Sequence, residues 1–253
     1  MNESTWVEVM QPHPRVWRLF CFPCAGGGAS AYRPWRADLP VDIALCPILL
    51  PGREQRYREQ PFVSLPLLVS ALADALEPWL DGSFAFFGHS MGGLIAFELA
   101  RELRRRQIPT PRHLFLAGIA PPQARTRERL RHQLTDLDLL DELRRFGGTP
   151  ARLLDEPEIA QMLLPTVRAD LALVETYRPC HEQPLSLPIT ALAGGSDPEA
   201  PAEAMAGWRA HTDAGFQVTT YPGDHFFLHG GQVRRTVIDQ VARTLCDSAR
   251  HAA

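Results

Sequence analysis

The chain of 253 residues is predicted to fold as an α/β protein with a mostly parallel central sheet and helices on both faces. Short apolar segments, each the length of one strand, alternate along much of the chain with segments of helical periodicity. Parallel strands are buried on both faces, and the candidate strands are accordingly almost continuously apolar. A chain of this length, 45% of it hydrophobic, can bury one large core.

The first half of the chain supplies four predicted strands and the helices that connect them. Strands are expected at the apolar segments 17–22, 41–48, 84–87 and 113–118. Helices are expected near 28–38, over about 65–80 and directly after residue 90. The second of these helices repeats apolar residues on one face, namely Leu67, Leu68, Ala71, Leu72, Ala75 and Leu76.

The alternation stops between Pro122 and Pro188, where the sequence predicts several helices and no strand. Helices are indicated at 137–143, 158–164 and 167–174. Strands are expected again at 188–193 and 216–221. We therefore predict one core formed by residues 1–121 and 188–253, with a helical insertion at 122–187.

A G-x-S-x-G motif, Gly88-His89-Ser90-Met91-Gly92, lies where the third predicted strand ends and a helix begins. Such a sharp turn forces the serine into a strained backbone conformation, so the residues two before and two after it must lack side chains. The turn holds the hydroxyl above the sheet, where the first helix amides also point. An ordinary glycine-serine turn is the alternative. The flanking strand and helix favour a nucleophile at Ser90 and thus an α/β-hydrolase fold.

A serine nucleophile needs a base and a group that orients the base, and in this fold the chain order is Ser, then Asp or Glu, then His. Asp197 follows the predicted strand 188–193 and His225 follows the last predicted strand, so both lie where ligand sites form. A turn aspartate that caps the next helix is the alternative for Asp197. We predict a triad of Ser90, His225 and Asp197.

A glycine-rich loop, Pro23-Cys24-Ala25-Gly26-Gly27-Gly28, follows the first predicted strand. Glycines let backbone amides approach a developing oxyanion closely, and we assign this role to the amides of Ala25 and Met91. A phosphate-binding loop is the competing interpretation. The Gly-x-Gly-x-x-Gly spacing is missing, however, and a Walker motif is excluded because the chain has no lysine.

His225 and His229 stand four residues apart, a spacing that also occurs in metal sites. No third ligand cluster accompanies them and the H-E-x-x-H pattern is missing, so no metal is predicted. Cys21-x-x-Cys24 resembles a redox motif but straddles the end of a strand instead of opening a helix. The five scattered cysteines fit reduced thiols.

The charge composition excludes several classes of function. With a net charge of −3, and with arginine as its only strongly basic residue, the chain gives no indication of binding nucleic acid or a membrane. The absence of lysine excludes Schiff-base and pyridoxal-phosphate chemistry. No apolar stretch has the length of a membrane span and no signal peptide is recognisable, so a cytoplasmic protein is expected.

Together, these motifs resemble those of type II thioesterases of nonribosomal peptide and polyketide synthesis. The resemblance spans nearly the whole chain and is carried by five segments: Phe22-Pro23-Cys24-Ala25-Gly26-Gly27, Leu50-Pro51-Gly52-Arg53, Gly88 to Gly93, Leu163-Leu164-Pro165 to Arg168-Ala169-Asp170, and Gly223-Asp224-His225-Phe226-Phe227. The family's catalytic serine, aspartate and histidine fall on Ser90, Asp197 and His225. Its oxyanion amides fall on Ala25 and Met91.

The resemblance implies a hydrolase that removes stalled or wrongly loaded acyl groups from the phosphopantetheine arm of carrier proteins, in antibiotic or siderophore biosynthesis. It implies no cofactor of the enzyme's own, because the substrate carries the phosphopantetheine. Acyl or peptidyl carrier proteins are the expected partners, met transiently by a monomer. The helical insertion would then act as a lid that selects substrate and excludes water, with a plain structural subdomain as the alternative.

Three alternatives remain open on the residues alone. A medium-chain fatty acyl-carrier-protein thioesterase or a carboxylesterase on free small esters would use the same triad, and a catalytically silent docking module belongs to another class. Arg53 could meet a pantetheine phosphate or form a structural ion pair. An arginine run ends the helix after Ser90, and interaction with the helix dipole is favoured over docking of an acidic partner.

Overall fold

A computed structural model describes residues 6–8, 17–124 and 130–251. Its six strands form a single parallel sheet in the order β2-β1-β3-β4-β5-β6. The strands are β1 (Trp17–Phe22), β2 (Ile43–Pro47), β3 (Ser83–His89), β4 (Leu114–Ala117), β5 (Ile189–Gly194) and β6 (Phe216–Tyr221). The predicted α/β architecture is confirmed, and each predicted strand is present within about two residues of its expected ends.

Helices cover both faces of the sheet, as predicted. The α-helices are α1 (Leu65–Leu76), α2 (Met91–Arg105), α3 (Asp136–Phe146), α4 (Ala151–Leu154), α5 (Pro157–Thr176), α6 (Ala202–Met205) and α7 (Gly231–His251). Short 3-10 helices include Ala29–Ala37, where the sequence predicted a helix, and Glu77–Trp79, which extends α1 to the predicted length.

Side chains alternate along the strands between two apolar cores. Phe20 and Phe86 face α1 and α2 and meet edge to face at 5.9 Å between ring centroids. Leu19 and Phe87 face the opposite side, where α7 and the 3-10 helix Ala29–Ala37 pack. This period of two gives each face of the sheet its own layer of helices.

The segment between β4 and β5 differs in one respect from the sequence prediction. The helices expected at 158–164 and 167–174 form one continuous helix, α5, with Pro165 inside it. Proline disfavours a helix interior because it lacks an N–H and clashes with the preceding turn. Buried side chains on both sides of Pro165, among them Leu164, Val167 and Leu173, stabilise the helix enough to outweigh that local cost.

The arginine run at the end of α2 lies among carboxylates. Its members pair as Arg101 with Glu98 and Glu182, Arg104 with Glu182, Arg105 with Glu102 and Glu182, and Arg106 with Glu102 and Asp74. These ion pairs connect α2 to α1 and to the segment before β5. Within the described ranges, no helix combines the length and the apolar composition that a bilayer crossing needs.

Candidate active site

The G-x-S-x-G motif forms a tight turn between β3 and α2. Ser90 has φ 54° and ψ −120°, a left-handed conformation that is rare for a residue with a side chain. A Cβ on Gly88 would lie 2.2 Å from the Gly92 carbonyl oxygen, and one on Gly92 would lie 2.1 Å from that of Phe22. Backbone atoms leave no room for a side chain at either glycine, as the nucleophile elbow requires.

The structure brings Ser90, His225 and Asp197 together. The Ser90 hydroxyl lies 2.9 Å from Nε2 of His225, and Nδ1 of His225 lies 2.9 Å from a carboxylate oxygen of Asp197. Since the carboxylate can only accept, Nδ1 carries a proton, and Nε2 is the ring nitrogen placed to accept from the hydroxyl. The arrangement leaves the imidazole able to take the serine proton.

The carboxylate of Asp197 is buried and well supplied with donors. One oxygen binds His225, and the other accepts from the amides of Glu199 at 2.8 Å and Ala200 at 3.3 Å. Burial raises the pKa of the Asp197 carboxyl, but the His225 ring and the hydrogen bonds to the carboxylate lower it by a larger amount. The net pKa therefore lies below its usual value. Asp197 is therefore ionised at neutral pH. By accepting from these two amides, Asp197 also plays the turn-capping role that the sequence offered as an alternative. One carboxylate therefore caps the turn and contacts His225.

A second buried histidine supports the loop that carries His225. Nε2 of His89 donates to the carbonyl oxygen of His225 at 2.8 Å. Burial, followed by the nearby His225 ring, lowers the pKa of His89 to about 3, so the ring is neutral and holds its proton on Nε2. Sequence reasoning missed this contact because its acceptor is a backbone carbonyl 136 residues away, which a local motif does not reveal.

The loop after β1 turns sharply beside Ser90. The Gly27 amide donates to the Cys24 carbonyl at 2.9 Å, and Gly26 has φ +72°, a conformation that favours glycine. Ala25 and Met91 both border the cavity that contains Ser90. The oxyanion role of their amides remains a prediction.

A buried ion pair fastens this loop to the helical insertion. Arg53 donates two hydrogen bonds to Asp170 of α5, at 2.7 and 2.8 Å, and a third to the Gly27 carbonyl at 2.9 Å. The same carboxylate accepts from the Gly26 amide at 2.8 Å. Arg53 is thus a structural ion pair, one of the two alternatives that the sequence left open. The sequence analysis named Asp170 only as part of a family motif. It did not predict the pairing, because the two residues lie 117 positions apart in the chain.

The structure disfavours the phosphate-loop interpretation, because a side-chain carboxylate already binds the amides that a phosphate would use. The amides of Ala29 and Ser30, at the start of the 3-10 helix, donate to the carboxylate of Glu54 at 3.1 and 3.0 Å. A phosphate would have to bind this helix start in place of a side-chain carboxylate. Amides of the glycine loop and of the helix start after it therefore donate to the protein's own carboxylates, Asp170 and Glu54.

The geometry of the site disfavours the metal and redox alternatives. Both ring nitrogens of His225 are engaged by Ser90 and Asp197, so neither is available to a metal with His229. Among the described residues, no group of three or more His, Cys, Asp or Glu could hold a metal ion. Burial, then the Asp170 charge, raises the pKa of the Cys24 thiol to about 11, the opposite of what a redox-active thiolate needs.

A cavity of about 780 Å³ opens beside Ser90 and His225. Its wall combines the loop after β1, the segment between β4 and β5, and the loops after β5 and β6. Apolar side chains of the helical segment dominate one side, namely Leu139, Leu143, Val167, Leu171 and Val174. Such a volume suits a small organic ligand or an acyl chain.

A parallel sheet with a nucleophile elbow after β3, and with an acid and a histidine after the last two strands, defines an α/β-hydrolase. The model of the Thioesterase domain family matches residues 17–245. The chain belongs to this family and is a thioester hydrolase.

Three similar proteins illustrate the family. The chain is 45% identical over 217 residues to the protein named linear gramicidin dehydrogenase LgrE from Brevibacillus parabrevis, covering 85% of this chain and 82% of LgrE. The structure of RedJ, a thioesterase from the prodiginine pathway of Streptomyces coelicolor, has a TM-score of 0.87 at 40% identity and covers 92% of both chains. YbtT, a type II thioesterase from the yersiniabactin NRPS/PKS pathway, gives 0.83 at 30% identity and covers 94% of this chain and 97% of YbtT.

Proposed function

We propose that this chain is a type II, editing thioesterase that hydrolyses stalled or aberrant acyl groups from the phosphopantetheine arm of carrier proteins in nonribosomal peptide or polyketide synthesis. The observation that carries the proposal is the Ser90–His225–Asp197 arrangement, with its two 2.9 Å hydrogen bonds, in a chain that belongs to the thioesterase family. The pathway names of RedJ and YbtT support the carrier-bound substrate. The enzyme acts as a monomer without a cofactor of its own.

In the acylation step, the Ser90 oxygen attacks the thioester carbonyl while Nε2 of His225 takes the hydroxyl proton. Asp197, ionised at neutral pH, stabilises the imidazolium that forms. The amides of Ala25 and Met91 hold the tetrahedral oxyanion. Collapse breaks the carbon–sulfur bond, and the departing pantetheine sulfur takes the proton from His225.

Deacylation repeats the proton transfers with water as the nucleophile. His225 takes a proton from water as the water oxygen attacks the Ser90 ester, giving a second oxyanion at the same amides. Collapse breaks the bond between the acyl carbon and the Ser90 oxygen, and His225 returns the proton to Ser90. The product is a free carboxylic acid, and the carrier thiol can be loaded again.

The helical insertion at 122–187 serves as the lid in this scheme. Its side chains form the apolar side of the cavity, so the pantetheine arm enters beneath it and the acyl group lies against it. Water is excluded from the acyl-enzyme until the thiol leaves. The core halves 1–121 and 188–253 supply the nucleophile and the acid–base pair respectively.

Hydride transfer, which the name of LgrE suggests for that relative, finds less support here. A dinucleotide would place its pyrophosphate on the amides that follow β1. In this chain Glu54 and Asp170 accept from those amides. The serine mechanism is therefore the better supported function.

The first experiment incubates an acetyl-loaded holo carrier protein with the wild-type enzyme or with Ser90→Ala and follows the carrier by intact-mass spectrometry. We expect the acetyl mass to disappear only with the wild type, since removal of a serine nucleophile lowers turnover at least about ten-thousandfold. Near-wild-type turnover by Ser90→Ala would eliminate the serine mechanism.

The same assay separates the alternatives. If p-nitrophenyl esters are hydrolysed while the acetyl carrier persists, the enzyme is a carboxylesterase on free esters. A strong preference for medium over short acyl chains across a length series would favour the fatty acyl-carrier-protein thioesterase. Binding of the carrier without hydrolysis of any substrate would favour a docking module.

A further inference from the structure

The glycine loop that carries Ala25 is held from one side by charged groups that the hydrolytic scheme does not use. The Asp170 carboxylate accepts from the Gly26 amide at 2.8 Å, and Arg53 donates to the Gly27 carbonyl at 2.9 Å. The peptide groups immediately after Ala25 are therefore fixed by an anion at Gly26 and a cation at Gly27. The direction of the Ala25 amide depends on these neighbours because a turn of four residues has little freedom of its own.

The ion pair between Arg53 and Asp170 is buried and bidentate. The side chain of Arg53 is 7% exposed and that of Asp170 is 1% exposed, and two parallel N–H···O bonds join them. Removing both charges from water is costly, and such a pair is often no more stabilising than well-packed apolar side chains. Stability alone therefore does not account for a charged pair at this position.

Asp170 belongs to α5, so the loop is fastened to the helical insertion rather than to the sheet. Thr166, one turn earlier, donates to the Gly52 carbonyl at 2.6 Å. Val167 lies so close that a Cβ on Gly26 would be 2.8 Å from its Cγ2. One face of α5 thus contacts both the glycine loop and the 51–53 loop.

The charges also bear on the oxyanion. An unpaired carboxylate beside Gly26 would repel negative charge developing at the neighbouring Ala25 amide, and the repulsion would be strong in a buried site. Arg53 neutralises that carboxylate, and the Oδ2 atom that accepts from Arg53 also accepts from the Gly26 amide. The pair can orient the loop without opposing the reaction that the loop stabilises.

We infer that Arg53 and Asp170 are positioning residues of the oxyanion loop: Asp170 orients the peptide after Ala25, Arg53 cancels its charge, and the seating of α5 thereby sets the oxyanion site. This inference rests on the proposed function, since it takes the Ala25 amide as an oxyanion donor. It deepens that function by making the helical insertion part of the oxyanion machinery.

The test compares Arg53→Met, the double variant Arg53→Met/Asp170→Leu and the control Arg56→Met. Arg56 is a buried arginine of the neighbouring 3-10 turn that binds Leu49 and Glu59 and does not bond to the glycine loop. For each variant, kcat and KM are measured on the acetyl-loaded carrier, together with Tm and the inhibition constant of an alkyl boronic acid. A boronic acid forms an anionic tetrahedral adduct on a serine, so its affinity reports on the oxyanion site.

We expect Arg53→Met to lower kcat and boronate affinity by about a hundredfold, the range seen on loss of an oxyanion donor, with KM little changed. The double variant should recover most of the Tm, because no charge is left unpaired, yet keep kcat about tenfold or more below wild type. It should be more active than Arg53→Met, because the uncompensated carboxylate is gone. Arg56→Met should lower Tm without lowering kcat per folded enzyme.

Wild-type kcat and boronate affinity in the double variant would overturn the inference, as would an equal loss of kcat in Arg56→Met. If the double variant does not fold, Asp170→Asn replaces it. This nearly isosteric change cannot reproduce both bonds to Arg53 and the bond to Gly26, and it should lower kcat about tenfold. If the double variant has the kcat of the wild type while Ser90→Ala is inactive, only the positioning role is refuted. An active Ser90→Ala would instead refute the proposed function.

Discussion

At the scale of single residues, the site depends on one imidazole with two different neighbours. His225 donates to a carboxylate through Nδ1 and accepts a hydroxyl proton through Nε2, and the carbonyl of its own backbone accepts from His89. The tautomer follows from the acceptor at Nδ1, and the ring position follows from the loop that His89 supports. In the proposed mechanism, Asp197 thus determines which nitrogen of His225 acts as the base.

Replacement of Asp197 by asparagine tests this dependence. The side-chain amide can donate to Nδ1 and thereby favour the wrong tautomer, and it cannot stabilise the imidazolium, so we expect acyl-enzyme formation to slow by about ten-thousandfold with folding intact. Single-turnover kinetics on an acyl carrier provide the measurement, with far-UV circular dichroism as the check on folding. Asp224→Asn is the matched control, because Asp224 only accepts from the Phe226 amide in an exposed loop. Activity retained by the Asp197 variant and lost by the control would move the orienting role to Asp224.

Two buried histidines make stability depend on pH. Burial lowers the pKa of His89 to about 3 and that of His113 to about 4. The unfolded chain binds a proton at each ring below about pH 6.5 whereas the folded chain does not, so the free energy of unfolding decreases as pH falls from 7. Each ring should remove about 1.4 kcal/mol by about pH 5.5.

His113→Gln isolates one of these contributions. The His113 ring lies 2.8 Å from the Thr190 hydroxyl. His113 precedes the start of β4 whereas Ser90 follows the end of the neighbouring parallel strand β3, so its titration can be removed without touching the triad. Urea unfolding at about pH 7 and about pH 5.5 should show a loss of stability smaller than in the wild type by about 1.4 kcal/mol. The exposed His181 supplies the control, His181→Gln, which makes the same substitution at a ring that is not buried. An unchanged pH dependence in His113→Gln would mean that its ring is protonated in the folded protein.

At the scale of elements, the β3–α2 turn shows how local and tertiary demands coincide. Gly92 is the first-turn residue of α2 at which the helix passes the end of β1, with the Phe22 backbone against it. Local sequence rules identify the motif, but the close approach is made by a strand more than sixty residues earlier. The glycine is therefore needed by the sheet as much as by the turn.

Gly92→Ala should destabilise the protein and displace the nucleophile. The new Cβ would meet backbone atoms of Phe22 and Pro23 at 2.1 to 2.7 Å, so α2 has to shift, at a cost of about 3 kcal/mol or more. Chemical denaturation and kcat on the acyl carrier are the two readouts. Gly231→Ala, at the first residue of α7 with nothing within 4 Å of the added Cβ, should be neutral or slightly stabilising. Equal stability of the two variants would contradict the steric argument.

At the scale of the whole molecule, the cavity exists because distant segments of the chain converge. Loops after β1, β5 and β6 contribute polar groups that include His225, and the segment between β4 and β5 contributes most of the apolar wall together with the charged residues Arg131, Glu142 and Glu175. Neither group encloses the space alone. Acyl-chain preference is therefore a property of how the insertion seats on the core.

A substitution that fills the cavity tests this idea. Leu143 of α3 borders the cavity and is half-buried, and Leu143→Trp should reduce the available volume without touching the triad. We expect the ratio of kcat/KM for octanoyl over acetyl carrier to fall about tenfold or more, since each excluded methylene costs about 0.8 kcal/mol. Leu137→Trp is the control, because Leu137 of the same helix is 77% exposed. An unchanged ratio in Leu143→Trp would place the acyl chain elsewhere.

The sequence by itself determined the alternation of strands and helices, the elbow at Ser90 and the chain order of acid and base. These features depend on local periodicity, on turn chemistry and on which end of a parallel strand a residue follows. Only the tertiary structure decided that α5 continues through Pro165 and that Arg53 pairs with Asp170, 117 residues away. It also decided that His89 supports His225 and that Glu54 occupies the helix start after the glycine loop. The reason is physical: a buried partner is selected by its position in space, and a local pattern does not record which distant segment will supply it.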